Sequence, residues 1–217
     1  MKTRLKNKIS IWKILILAAL VCIVVITGVL LLKPTETHGV NGETENLQGK
    51  AYAKITVQDY GDIVLELEAD IAPITVSNFC ELVENHFYDG LTFHRIISGF
   101  MIQGGDPKGN GTGGSEKKIK GEFSSNGFAN GLKHTRGVIS MARSADPNSA
   151  SSQFFIMHQD APHLDGQYAA FGKVIRGMET VDAICSSVPV TDNNGSVDRE
   201  NQPIITSIQM ISAEDAL

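Results

Sequence analysis

The chain has 217 residues, of which 42% are hydrophobic and 20% charged, with 19 Lys+Arg against 24 Asp+Glu. That balance suits a globular domain with something attached. Residues 1–33 hold six of the basic residues and no acidic one, so the remainder carries 13 against 24, a net of −11, which argues against nucleic acid and anionic lipid as partners of that part. Residues 1–13 read as a basic tail containing Lys2, Arg4, Lys6, Lys8 and Lys13. Residues 14–32, Ile14 to Leu32, are a run of 19 without a charge. As a helix this run spans about 28 Å, close to the hydrocarbon thickness of a bilayer. The positive charge ahead of it predicts a cytoplasmic N-terminus, with everything after Leu32 outside. A cleaved signal peptide fits less well, because the run is long and no small-x-small site follows. Cys22 follows Val21, a poor fit to lipoprotein processing, and reads as a small apolar residue. Residues 33–50 are polar and rich in Thr, Glu, Gly and Asn, a flexible linker with a reach of about 23 Å.

Residues 51–217 carry the folded domain. Ala53–Val57 and Ile63–Leu67 read as strands of a hairpin turned through Tyr60-Gly61-Asp62. Pro73 then opens a helical pattern with Val76, Phe79, Cys80 and Val83 on one face. Strands follow around Phe93, Ile102, Val138, Phe155 and Phe171; a second helix covers Met178 to Cys185; Pro203 to Ile211 is a last strand. Many short strands with only two helices predict a mostly β, closed antiparallel barrel. Cys80 and Cys185 both sit in helical contexts, and no Cys-x-x-Cys or Cys/His cluster supports a structural zinc.

The chemistry concentrates around one residue. Arg95 lies inside the apolar run Leu91-Thr92-Phe93-His94-Arg95-Ile96-Ile97, where an arginine is costly to desolvate unless its donors are used. Strand alternation puts Met101 with Gln103, and Gln153 with Phe155 and Met157, on shared faces, and Gly99 allows a bend that brings Phe100 round. If these faces converge they form an apolar pocket with one fixed cation and two amides to aim it. The plainer reading is a satisfied barrel arginine among core aromatics. Gly109-Asn110-Gly111-Thr112-Gly113-Gly114 has the spacing of a dinucleotide loop, but the segment after it is too polar and short for the required helix, and no Lys-Ser/Thr makes it a P-loop. His158, Asp160, His163 and Asp165 fall around Ala161-Pro162 without helical i, i+4 geometry and read as loop polarity rather than metal ligands. There is no Gly-x-Ser-x-Gly elbow for serine hydrolysis.

Five strings in register carry a resemblance. Phe93-His94-Arg95-Ile96-Ile97, Gly99 to Asp106, Asn110 to Gly114, Ser152-Gln153-Phe154-Phe155-Ile156, and Leu164-Asp165-Gly166 with Phe171-Gly172-Lys173-Val174 resemble the cyclophilins, in order over roughly Ala53 to Ile211. The resemblance implies an eight-stranded barrel capped by two helices at opposite ends, which makes a Cys80–Cys185 disulfide improbable. It implies peptidyl-prolyl cis-trans isomerase activity on proline-containing polypeptides, with no cofactor and no metal. It assigns Arg95, Phe100 and Gln103 to catalysis, with Gln103 orienting the arginine. Met101, Phe155 and Leu164 join Phe100 as pocket wall; Ala142, Arg143 and Gln153 match positions that contact the substrate backbone; and the loop with Gly111 flanks the groove. Two positions depart from the family pattern. His163 stands where many members have tryptophan, which implies weak cyclosporin binding, and Tyr168 stands where they have a histidine lining the proline pocket, which bears on rate and preference. The short Lys-rich N-terminus suits a bacterial anchor, and the whole then reads as a cell-membrane protein with its isomerase domain outside, acting on exported proteins. The rival expectation is a barrel that binds proline segments without turning them over.

Overall fold

The computed structural model describes residues 46–217. The basic tail, the span predicted at 14–32 and residues 33–45 of the linker lie outside the described residues. Among the described residues no helix is long and apolar enough to cross a membrane.

Eight strands form one antiparallel sheet: β1 (Lys50–Val57), β2 (Gly61–Glu68), β3 (Phe93–Ile97), β4 (Met101–Gly104), β5 (Val138–Met141), β6 (Phe154–Met157), β7 (Ala170–Arg176) and β8 (Ile205–Ile211). Their spatial order is β3-β4-β6-β5-β7-β2-β1-β8. Two helices, α1 (Pro73–Glu84) and α2 (Met178–Ser187), pack on it, and a short α3 (Ala213–Ala216), absent from the sequence reading, follows β8. The chain is tied to this body before β1, since the Leu47 N–H donates to Ser77 Oγ at 2.8 Å and the Gly49 N–H to Asp70 Oδ1 at 2.7 Å.

The expected closed barrel needs one correction. The edge strands β3 and β8 share no ladder. They meet through an isolated bridge between Thr92 and Ile204, with the Phe93 N–H donating to Pro203 O at 3.0 Å and the Ile205 N–H to Leu91 O at 2.8 Å. Pro203 has no N–H to offer, which limits pairing at that seam.

Helix α1 buries Val76, Phe79, Cys80 and Val83, the face its spacing predicts. Phe79 lies 5.3, 5.8 and 5.4 Å from the rings of Tyr88, Phe154 and Phe171. Ala72, ahead of Pro73, has no side chain that can cap the helix. Glu122 does so from a distant loop: its fully buried carboxylate accepts from the Ile74 N–H (3.0 Å), the Thr75 N–H (2.8 Å) and the Thr75 hydroxyl (2.7 Å). A carboxylate suits a helix N-terminus, where free N–H groups and the dipole both favour negative charge. Cys80 and Cys185 are free and buried, and burial pushes both thiols up to about 12.

Strand alternation divides the side chains between two apolar bodies. Ile102, Phe154, Ile156, Ile139 and Phe171 point into the main core. Their neighbours Met101, Phe155, Met157, Val138 and Ala170 point the other way and form a second cluster with Phe100, Leu164, Tyr168 and Ala142. A strand exposes successive residues to opposite faces, so this second cluster is the outer face of β4, β6, β5 and β7.

Candidate active site

The register of the sheet lines up the site. Arg95 on β3 pairs with Gln103 on β4, Gln103 with Phe155 on β6, and Phe155 with Ser140 on β5. Gly99, at φ +80°, turns the chain between β3 and β4, and the Phe100 N–H closes that turn on Ile97 O at 2.9 Å. The bend carries Phe100 to the same side. The result is a cleft of about 250 Å³ lined by Arg95, Phe100, Met101, Gln103, Ala142, Arg143, Phe155, Leu164 and Tyr168. All nine were named from the sequence. Gly111 and Gln153 line an adjoining cavity of about 350 Å³ that shares Gln103, Ala142 and Arg143 with the first. His163 lies outside both linings and stacks on Phe100, with centroids 5.7 Å apart at 26°.

The guanidinium of Arg95 is half-buried and held. Burial pulls its pKa down, opposed by Tyr168 and Asp192, and the group stays a cation at neutral pH. Its Nη1 donates to Gln103 Oε1 at 3.3 Å and points toward Met101 Sδ at 3.9 Å. Gln103 Nε2 donates to Gln153 Oε1 at 2.9 Å, and Gln153 Nε2 donates to the carbonyls of Gly111 (3.1 Å) and Gly113 (2.7 Å). Each amide therefore has its direction fixed by the next, from the loop back to the cation. Gln153 spends its polar atoms inside this relay rather than in the cleft.

The glycine-rich loop is anchored by Asp106, which is 1% exposed. Its carboxylate accepts from the N–H groups of Lys108 (2.8 Å), Asn110 (3.1 Å) and Gly111 (2.6 Å). Burial raises the Asp106 pKa, but these main-chain donors, with Gly113, outweigh it and hold the carboxyl below its usual range. A Cβ on Gly113 would sit 2.0 Å from Asp106 Oδ1, so the loop can wrap the carboxylate only with glycine there. The spacing that mimicked a dinucleotide loop is thus a wrap around a buried acid.

The opposite wall rests on Phe155 and Tyr168, whose rings meet edge to face at 5.7 Å and 86°. Tyr168 preserves the wall where the family pattern has histidine. The guanidinium of Arg143 lies over Tyr168 at 4.8 Å and donates to Gln167 O and Ser144 O. Behind Phe155, the ring of His134 stacks at 6.0 Å and 18°. His134 Nδ1 meets Asp165 Oδ1 at 3.1 Å and Nε2 meets Ser140 Oγ at 3.0 Å. Burial depresses the His134 pKa, opposed by Asp165, so the ring is neutral at pH 7. With a carboxylate at Nδ1, that nitrogen carries the proton and Nε2 accepts from the Ser140 hydroxyl. The order resembles a nucleophilic triad, but His134 and Ser140 are sealed in the sheet and open to no substrate.

Five contributors escaped the sequence reading: Asp106 under the loop, His134 and Ser140 behind Phe155, His158, and Asn194 against Arg95. His158, read as loop polarity, accepts from the Gly99 N–H at Nδ1 (2.8 Å), and its own N–H donates to Phe100 O at 2.8 Å, so it braces the turn that presents Phe100. Asp165 serves His134, and among the described residues no group of three or more His, Cys, Asp and Glu is placed to hold a metal.

The half-barrel thus presents an apolar cleft with one cation aimed into it. The comparisons give the family. Residues 52–214 match the model for cyclophilin type peptidyl-prolyl cis-trans isomerases. A Helicobacter pylori peptidyl-prolyl cis-trans isomerase is 47% identical over 143 residues, covering 66% of this chain and 83% of that protein. The Cryptococcus neoformans peptidyl-prolyl cis-trans isomerase-like 2 is 45% identical over 143 residues, 65% of this chain but only 25% of that protein, so the chain spans about a quarter of that relative. A Cryptosporidium parvum cyclophilin type peptidyl-prolyl cis-trans isomerase, crystallised in the presence of the dipeptide Ala-Pro, has a TM-score of 0.65 and 35% identity, covering 74% of this chain and 99% of that one. This chain belongs to the cyclophilin-type peptidyl-prolyl cis-trans isomerases, and its described residues are an isomerase domain of that family.

Proposed function

We propose that this protein is a membrane-anchored isomerase that speeds proline-limited folding of exported polypeptides, with the catalytic domain outside the cytoplasmic membrane. The observation that carries the enzymatic reading is the half-buried guanidinium of Arg95, aimed by Gln103 into the cleft walled by Phe100, Met101, Phe155 and Leu164. Turning a prolyl bond means crossing a barrier of about 18–20 kcal/mol set by amide resonance. No bond is made or broken, so the protein need only bind the twisted amide better than the planar one. In the twisted state the proline nitrogen is pyramidal and regains a lone pair, which a donor from Arg95 stabilises. The apolar walls hold the pyrrolidine ring, and the main chain of Ala142–Arg143 pairs with the peptide on either side. Gln153 acts through Gln103 and the glycine loop. An ATP-independent reaction suits an extracytoplasmic site.

The location rests on the uncharged run 14–32, the five basic residues ahead of it and the acidic balance after it. Cell fractionation is expected to leave the protein in the membrane pellet, with its domain cut by protease added to intact cells. A soluble form starting in residues 33–50 would remove the anchor, and protection from outside protease would reverse the orientation. The function itself is tested on a secreted protein whose slow refolding phase is a prolyl isomerisation. Catalytic amounts of the chain in detergent should accelerate that phase; binding of the unfolded protein with no change in the phase would replace the enzyme by a binding module.

His163 sets the expected response to cyclosporin. Imidazole supplies a donor but less apolar area than indole, and the lost area should weaken the drug more than a short peptide seated in the proline cleft. Inhibition is expected to be weak and to tighten in His163→Trp with turnover retained. Equal affinity for both forms would show that this position does not control the drug.

A further inference from the structure

We propose that Asn194 is a positioning residue for Arg95, and this rests on the catalytic reading of Arg95 given above. Arg95 Nε donates to the Asn194 main-chain oxygen at 2.8 Å, and Arg95 Nη2 donates to Asn194 Oδ1 at 3.1 Å. One residue thus grips one edge of the guanidinium with two acceptors, and the remaining nitrogen, Nη1, is left to Gln103 and the cleft. A planar fork held along one edge cannot rotate about its own axis without breaking both contacts. Gln103 alone makes a single long bond to a freely swinging side chain; with Asn194 the cation is fixed from both sides.

The loop that carries Asn194 is built to hold still. Asp192 Oδ1 accepts from the N–H groups of Asn194 (2.9 Å) and Ser196 (3.0 Å), and Oδ2 accepts from the Ser196 hydroxyl at 2.9 Å. The loop is then zipped to β3: the Ile96 N–H donates to Gly195 O at 2.8 Å, Arg95 bridges Ser196, and the Val197 N–H donates to His94 O at 3.1 Å. Gly195 adopts φ +79°, and a Cβ there would lie 2.3 Å from Ile96 O, so a side chain at 195 must push the loop off the strand. The same loop covers the free edge of β3, which by itself would give it a merely protective role. The grip on the guanidinium is the part that a protective role does not need.

The two roles separate in the full-length chain. Asn194→Ala removes one of the two acceptors and is expected to lower kcat about tenfold at nearly unchanged KM, because the peptide still binds but meets a misplaced donor. Gly195→Ala displaces both acceptors and should approach the loss seen in Arg95→Ala. Asn194→Asp keeps an oxygen in place and should rescue most of the rate. The direct readout is the Arg95 Nη2–H resonance, the donor to Asn194 Oδ1, assigned by its disappearance in Arg95→Ala. Its exchange with water should be slow in the native chain, fast in Asn194→Ala and slow again in Asn194→Asp. Unchanged exchange in Asn194→Ala overturns the inference whatever the rate does. A rate loss explained by a lower melting temperature, with Arg95 still protected, also overturns it. If Arg95→Ala itself keeps full turnover, the catalytic reading fails instead, and the exchange rates still report whether Asn194 holds the arginine.

Discussion

Replacing Arg95 by alanine should lower kcat/KM by about two to three orders of magnitude, the range found for removing one preorganised donor to a developing charge. The fold should survive, because Arg95 is on the outer face of β3 and its loss buries no orphan group. Its partners Gln103 and Asn194 reach the surface and can turn to water. The loss should fall on kcat rather than KM, since the donor acts on the twisted amide and not on the planar one. Arg95→Lys should be nearly as poor. An ammonium is a point donor that cannot serve Asn194 along one edge and Gln103 at the other nitrogen. A well-folded Arg95→Ala with near-native turnover would end the mechanism.

The second large effect is expected at Phe155. Its ring forms a wall of the cleft, packs edge to face on Tyr168 and stacks over His134, and it is 5% exposed. Phe155→Ala should raise KM and lower kcat/KM by at least an order of magnitude, because the pyrrolidine loses its main apolar surface. It should also cost about 3 kcal/mol of stability, the lower end for Phe→Ala, since the void opens to the cleft and water can enter. Urea unfolding read beside the kinetics separates the two effects. A variant with native KM would show that the proline ring sits elsewhere.

The outer cluster was legible because alternation is local. Once the strands around Ile102 and Phe155 were read, Met101 and Gln103 had to share a face, as did Gln153, Phe155 and Met157, and β4 and β6 pair just so. The α1 face was legible for the same reason, from the spacing of Val76, Phe79, Cys80 and Val83. What escaped was set by contacts far apart in the chain. Glu122 caps α1 from 47 residues away, and Asn194 grips Arg95 from 99 residues away; no period links either pair. Asp106 ended a string already in view, but its role follows only from the loop folding back over it. His158 looked like loop polarity because its partner, the Gly99 N–H, is a main-chain group that sequence does not mark. The seam between β3 and β8 likewise depends on three-dimensional closure, not on either strand's pattern.

The central claim is that this barrel turns the prolyl bond over rather than merely holding it. Exchange NMR on an Ala-Pro-containing peptide in large excess over residues 46–217 measures that directly. Cis and trans signals that are static alone should gain exchange cross-peaks on adding the protein, at a rate proportional to its concentration and lost with Arg95→Ala. Shifts of the peptide signals that report binding, with no exchange between the cis and trans sets, would contradict it.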